Sequence, residues 1–237
     1  MTQIVEKGKP TVDKDAEAKV IEERTKQLEE EAKQLEEEAK RIKLELVAQE
    51  IIDPHIIASC IAFVDELDDL KDKKPQGWHA EKKPGNPHFS EWFTASAGSL
   101  TKTSGEKVTT GTEGQWLYIQ VGRSADIKDP QKGKLTSLTI QGGKNEKQDF
   151  YLWYNERSYI KLQTGNNPLK LKQLSIESTD EETAAFKESA RKDMEIVNGL
   201  LQKTMNHLIM IAKDPSLGTV CLQEKVKPAV VEPEKAG

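Results

Sequence analysis

Residues 115–121 read QWLYIQV, and residues 148–154 read QDFYLWY. Large apolar residues recur at every second position in both runs, and successive side chains of a β-strand point to opposite faces of its sheet. We therefore expect one face of each strand to line a core while the other face carries aromatic rings. The aromatic residues expected on that outer face are Trp116, Tyr118, Tyr151 and Trp153.

Further β-rich runs surround these two segments, and glycine, proline and asparagine residues separate them. The clearest are residues 135–140, 158–163 and 169–176, and weaker ones lie at 93–103 and 107–110. Short strands at regular spacing with turn signals between them are typical of antiparallel sandwiches and barrels. The sequence therefore predicts an antiparallel β-sandwich or jelly-roll-like domain over residues 88–177.

Upstream of this region, residues 26–46 read KQLEEEAKQLEEEAKRIKLEL, which is a nearly repeated heptad. Apolar residues spaced alternately three and four apart form a stripe along one side of a helix and favour packing against another helix. We expect this coiled-coil-type helix to pack either on the last helix of the same chain or on another copy. The stripe contains Ile21, Leu28, Ala32, Leu35, Ala39, Ile42 and Leu46.

The same heptads also allow a single helix that remains in solvent. Glu22 and Lys26 are four residues apart, as are Glu36 and Lys40. Each such pair stabilises an isolated helix by about 0.2–0.5 kcal/mol. In addition, the alanines at every second apolar position bury little surface, so a parallel homodimer would be weak.

Two more helices are expected. Asp53 and Pro54 supply a cap and a first residue for a second helix, so that residues 14–72 form a helical arm followed by a linker at 73–87. A capping box at 178–181 opens an amphipathic helix over 178–213. Its apolar stripe includes Met194, Val197, Leu201 and Leu208, which we assign to the helix-packing interface.

The complete chain is thus expected to be an α+β protein, with a helical arm, a β domain and a C-terminal helix in that order. The polar termini, residues 1–13 and 214–237, are expected to be disordered.

Composition argues against two partner classes and suggests a compartment. The net charge is −5, and lysine and arginine are spread along the chain, so we expect no nucleic-acid partner. The two cysteines form no metal or redox spacing, and the sequence has no secretory signal, no run of 18 apolar residues and no N-x-[ST] sequon. We therefore expect a cytoplasmic protein with reduced thiols, and a membrane role is disfavoured.

No motif in the sequence indicates catalysis, so we expect a protein that is not an enzyme and has no catalytic residues. The histidines, including His79 and His88, show no metal-ligand spacing, and Asp126 with Asp129 makes a poor calcium site. Cys60 lies on an apolar helix stripe, where an inert thiol is expected, and Cys221 has no nearby histidine. Glycine motifs that hold nucleotides are absent as well. We predict no metal and no cofactor.

Three functional hypotheses follow. The first is a structural or interaction protein whose helices bind a second copy or another helical protein and whose β domain displays a surface. The second is a lectin-like module that binds a glycan on the platform formed by Trp116, Tyr118, Tyr151 and Trp153. The third is a membrane-active, pore-forming protein that would release the rather apolar segment 196–212 from the β domain.

Overall fold

The computed structural model describes residues 14–75, 77–83, 91–98, 101–103, 106–108, 114–124, 133–144, 147–165, 167 and 170–218. Both predicted disordered termini, except for residues 214–218, lie outside this part of the chain. The chain divides into two compact units, with the boundary between Lys43 and Leu44, and the second is called the unit 44–237 below.

Three helices and nine strands are present in the described residues, so the predicted α+β class is confirmed. The helices are α1 (Lys14–Ile51), α2 (Pro54–Asp69) and α3 (Asp180–Lys213). The strands are β1 (His79–Lys83), β2 (Glu91–Ala97), β3 (Thr101–Thr103), β4 (Glu106–Val108), β5 (Gln115–Arg123), β6 (Leu135–Lys144), β7 (Lys147–Asn155), β8 (Tyr159–Thr164) and β9 (Lys172–Ser175).

The predicted sandwich or jelly roll is not confirmed. The described strands form one antiparallel sheet of seven strands, in the order β1-β2-β5-β6-β7-β8-β9, and a separate β3–β4 hairpin. Apart from the hairpin between β2 and β5, the strands follow one another in chain order. The alternation in the sequence was interpreted as facing a second sheet, whereas the buried face of this sheet is covered by helices.

The predicted linker at residues 73–87 contains the first strand of the sheet. Residues 79–83 read HAEKK and pair with β2, with Ala80 opposite Ala95. Ala80 and the neighbouring Trp78 are buried. Charges on an edge strand protect it from pairing with other chains. The same charges make this short strand resemble a linker in sequence.

One hydrophobic core fills the unit 44–237. It joins the buried face of the sheet to α2, α3 and the last two turns of α1. Two predicted helix starts position these elements. Asp53 caps α2 by accepting a hydrogen bond from the His55 amide. Thr179 caps α3 in a capping box with Glu182, one residue later than predicted.

Ion pairs connect the helices that cover the sheet. Glu50 of α1 pairs with Lys187 and with Arg191 of α3, the latter at 2.7 Å. Glu66 of α2 lies 2.5 Å from Lys213 at the end of α3. The last two turns of α1 are therefore fixed to the helical layer both by apolar burial and by charge.

Candidate functional site

The five large apolar residues of the predicted stripe on α1 are exposed in the single chain and are called the heptad stripe from here on: Ile21, Leu28, Leu35, Ile42 and Leu46. Leu35 is 67 % exposed and Leu28 is 59 % exposed, and the other members lie between 49 % and 66 %. Ala32 and Ala39, which lie between these residues, are exposed as well. Such a row of large apolar side chains in solvent usually marks a surface that binds a partner.

The end of α1 buries a different side of the helix from the one that carries this stripe. Leu44, Val47, Ala48 and Ile51 are all between 2 % and 6 % exposed, whereas Leu46 among them is 59 % exposed. With about 3.6 residues per turn, the buried residues fall at heptad positions b, c and f, away from positions a and d. Within the last two turns of α1, the side that carries Leu46 is therefore exposed while the opposite side is buried.

Ion pairs along α1 support it as a helix, as expected. Lys26 contacts Glu22 at 2.8 Å and Lys40 contacts Glu36 at 3.0 Å, both four residues apart. These pairs contribute only a few tenths of a kcal/mol each, about 0.2–0.5. They stabilise the helix without burying the heptad stripe.

The α3 residues predicted to form the helix-packing interface have a different location. Met194, Val197, Leu201 and Leu208 belong to the core of the unit 44–237, and the last three are fully buried. α3 lies against strands β5, β7, β8 and β9 and against α2. The apolar face of α3 is therefore buried within the unit 44–237.

The outer face of the sheet is half-exposed and carries the predicted aromatic residues. The predicted alternation is confirmed in β5 and β7, since Leu117, Ile119, Phe150 and Leu152 are buried while the residues between them are half-exposed. Pairing in the register of the sheet places Tyr118 beside Gln141 and Gln141 beside Tyr151, so these three residues form one row. A second row runs from Gln120 through Thr139 and Trp153 to Lys161.

Two further aromatic residues, which were not assigned to the platform, share this face. Tyr159 stacks on Trp153 with ring centroids 4.3 Å apart, and Lys161 lies 4.2 Å from the centre of the Tyr159 ring. Trp92 on β2 pairs with Gly122, at the same end of the sheet as Tyr159. The sequence signal for Tyr159 is the alternation of residues 158–163. Tyr159 and Lys161 are two positions apart and therefore lie on the same face of the strand.

Glutamine side chains separate the rings of this outer face. The Tyr118 hydroxyl donates to Gln120 Oε1 at 2.9 Å. The Gln163 amide nitrogen donates to the carbonyl oxygens of Gly165 and Asn167. Aromatic faces with amides and hydroxyls between them form the kind of surface that stacks on a sugar ring and bonds its hydroxyl groups.

The described residues contain neither an accessible thiol nor a group of potential metal ligands. Cys60 is completely buried in α2, and burial raises the pKa of its thiol to about 12, so it remains a protonated thiol. Among these residues, no three His, Cys, Asp or Glu side chains are grouped so that they could hold a metal ion. Cys221, His88, Asp126 and Asp129 lie outside the described residues.

Within the described residues, no single helix combines the length and apolarity needed to cross a membrane. One bent pair, residues 18–51 with 54–69, meets those criteria jointly by length and composition.

Comparisons with models of protein families, with curated proteins and with solved structures found no match to this chain.

Proposed function

We propose that this protein is a self-associating structural or interaction protein, and that the heptad stripe of α1 binds the same stripe of a second copy. The observation that carries this proposal is the exposure of all five large apolar residues of the stripe, while the end of the same helix is anchored in a core through other positions. α1 therefore carries the exposed apolar stripe and is also held at its C-terminal end by buried residues.

The apolar surface involved is large enough to stabilise a pair of helices. Burying an exposed leucine or isoleucine fully is worth about 1.5–3 kcal/mol, and association costs about 4–15 kcal/mol. Ten such side chains, five from each copy, are already half to two-thirds exposed and can offset most or all of that cost. The alanines between them let the two helices approach closely, which adds dispersion contacts.

Side-chain volume favours an antiparallel pair. In a parallel pair, like residues meet, so that alanine layers alternate with leucine layers and the spacing between the helices cannot suit both. In an antiparallel pair, Leu28 faces Ala39 of the second copy and Ala32 faces Leu35. Thr25 then faces Ile42. Each of these three layers combines one small and one large residue and suits a close spacing, whereas the layer at each end of the pair combines two large residues, Ile21 and Leu46.

Charges beside the stripe favour this register over its neighbours. Glu22 then flanks Lys43 of the second copy, and Arg24 flanks Glu45, which places attraction near both ends. Two glutamate pairs near the middle repel each other. Shifting the antiparallel register by one heptad in either direction replaces one of the two attractive pairs with a pair of glutamates that repel each other. Packing thus sets the orientation, while charge sets the register.

Size-exclusion chromatography with light scattering tests the association. We expect the full chain to be a dimer and the Leu28→Gln/Leu35→Gln variant to be a monomer with an unchanged circular dichroism spectrum. Glu30→Gln/Glu37→Gln, at exposed positions that lie away from the stripe, serves as the matched control and should remain dimeric. A monomeric wild-type chain at high micromolar concentration would refute the proposal.

Cysteine cross-linking tests the orientation separately, in a Cys221→Ser background. An Ile21→Cys chain should form no disulfide dimer on oxidation, because the two new cysteines would lie about 37 Å apart at a rise of about 1.5 Å per residue. Mixing that chain with a Leu46→Cys chain should give a cross-linked heterodimer. Cross-linking of Ile21→Cys alone would show a parallel pair and would leave the association itself standing.

A second candidate function is glycan binding on the outer face of the sheet. It is favoured by the row of Tyr118, Gln141 and Tyr151 and by the adjacent Trp153, because the sheet register holds these groups side by side on a half-exposed surface. Stacking of a sugar on an aromatic face places the apolar ring hydrogens on the π system and leaves the hydroxyl groups for amides.

A glycan array tests this second function. Binding should be lost in Trp153→Ala and largely kept in Trp153→Phe, since phenylalanine retains a ring for stacking. The folded state of both variants is checked by urea unfolding. The absence of any glycan bound by the wild-type chain, or equal binding by the alanine variant, would reject the outer face as a lectin site.

A further inference from the structure

A half-open cavity of about 370 Å³ lies where the end of α1 meets the start of α2 and the strands β6 and β7. This volume is within the range of small-molecule sites, about 300–1,000 Å³. α1 ends at Ile51 and Asp53 caps α2, and the two helices meet at an angle of 80° at this corner. The apolar part of the wall consists of Ala48, Ile52, Pro54, Ile57 and Leu135.

Tyr154 of β7 lines the same cavity and is an unusual component of it. Its side chain is 1 % exposed, and its hydroxyl has no hydrogen-bond partner among the described residues. Burial, assisted by the charges of Glu45 and Glu156, raises the pKa of the Tyr154 phenol. The hydroxyl therefore stays protonated at neutral pH and remains a donor without an acceptor, which buried polar groups rarely are.

The charged groups at the cavity are already paired with one another. Lys134 lies 2.6 Å from a Glu45 carboxylate oxygen and 3.6 Å from one of Glu156. An anionic ligand would approach two carboxylates, and a cationic ligand would compete with Lys134 for them. A neutral ligand leaves this set of ion pairs intact.

From these features we infer that the cavity binds a small, neutral molecule with an apolar body and a carbonyl-type oxygen. The apolar body contacts Ile52, Ile57 and Leu135, and the carbonyl oxygen accepts a hydrogen bond from the Tyr154 hydroxyl. None of the residues that line the cavity belongs to the heptad stripe, whereas Glu45 both lines the cavity and flanks Arg24 of the second copy in the proposed pair. The Leu28→Gln/Leu35→Gln variant therefore tests the two proposals separately.

Fluorescence titration of the full chain with Prodan, a neutral aromatic ketone, tests this inference. We expect saturable binding with a blue-shifted emission, reversed by competition with excess acetophenone. Ile57→Trp, which fills the cavity, should abolish saturable binding. Tyr154→Phe, which removes only the hydroxyl, should weaken binding by about threefold to tenfold, the value of one hydrogen bond.

Controls separate this cavity from other apolar surfaces. Leu28→Gln/Leu35→Gln should bind Prodan as the wild type does, because neither leucine lines the cavity. This result would exclude the heptad stripe as the binding surface. Urea unfolding verifies that Ile57→Trp and Tyr154→Phe are folded. The inference is overturned by any of four results: no saturable binding of either ketone, an unchanged Prodan affinity in Ile57→Trp, an unchanged affinity in Tyr154→Phe, or equal affinity for an anionic naphthalene sulfonate dye.

Discussion

Leu46 and Ala48 lie two residues apart in α1, yet Leu46 is 59 % exposed and Ala48 is 3 % exposed. A helix turns by about 100° per residue, so these two side chains point in nearly opposite directions. One helical segment therefore serves two purposes: one side contributes to the core of the unit 44–237, and the other continues the heptad stripe.

The first prediction compares two leucines of this segment. Leu44→Ala should lower the free energy of unfolding by about 2–5 kcal/mol, because it leaves a cavity in a packed core. Leu46→Ala should change it by no more than about 0.5 kcal/mol. Urea unfolding followed by circular dichroism, in the Leu28→Gln/Leu35→Gln background so that association does not contribute, measures both. Equal losses would contradict the assignment of these two faces.

The second prediction concerns pH and Glu50. Hydrogen bonds from Lys187 and then Arg191 hold the pKa of this carboxyl below its ordinary value of 4.5. A depressed folded-state pKa stabilises the protein above pH 4.5, and this stabilisation is lost as the pH falls through the folded-state value. Glu50→Gln should therefore lower the urea midpoint at pH 7, and the difference from wild type should shrink steadily below pH 4.5.

A matched control for Glu50 is Glu30→Gln on the exposed part of α1, which should leave the urea midpoint unchanged at pH 7 and at pH 3. Added salt should reduce the effect of Glu50→Gln at pH 7, since the ion pairs are near the surface. A loss of stability in Glu50→Gln that is the same at pH 7 and pH 3 would argue against the ion pairs as its cause.

The third prediction concerns the thiol of Cys60. Because burial raises its pKa to about 12 and no part of the residue is exposed, iodoacetamide should not modify it in the folded protein at pH 8. In a Cys221→Ser chain, mass spectrometry should detect no adduct in buffer and one adduct in urea. Rapid modification under native conditions would show that α2 is less firmly packed than described.

The fourth prediction contrasts two glycines. Gly199 is an exposed residue inside α3, and an added Cβ there would meet nothing within 4 Å. Gly199→Ala should therefore stabilise the protein by about 0.5–1 kcal/mol. At Gly142 of β6, an added Cβ would lie 2.6 Å from the buried Phe150 ring, so Gly142→Ala should destabilise. Thermal unfolding measures both, and a stabilising Gly142→Ala would contradict the described close packing.

Whether a strand could be predicted from the sequence depended on how many of its side chains are buried. The runs at 115–121 and 148–154 were identified because every second side chain enters the core, which imposes a period of two on the sequence. β1 was missed, because a charged edge strand with one buried alanine has no such period. The strands were also interpreted as half of a sandwich, since alternation is the same whether a sheet or a helix covers the buried face.

The candidate site divides in the same way. The heptad spacing identified the stripe and its residues, whereas its exposure followed only from the position of Leu44, Val47 and Ala48 in the core. The cavity at Tyr154 had no signal in the sequence. Tyr154 follows the alternation of β7 as any core residue would, and Glu45 and Lys134 are far apart along the chain.

The sequence by itself determined the helices, most of the strands and the faces of those strands, because local periodicity records which side chains avoid water. Only the tertiary structure decided what covers each apolar face, which groups meet at the cavity and which stripe stays in solvent. These depend on contacts between residues distant in sequence, and a periodic pattern is the same for any partner that buries it.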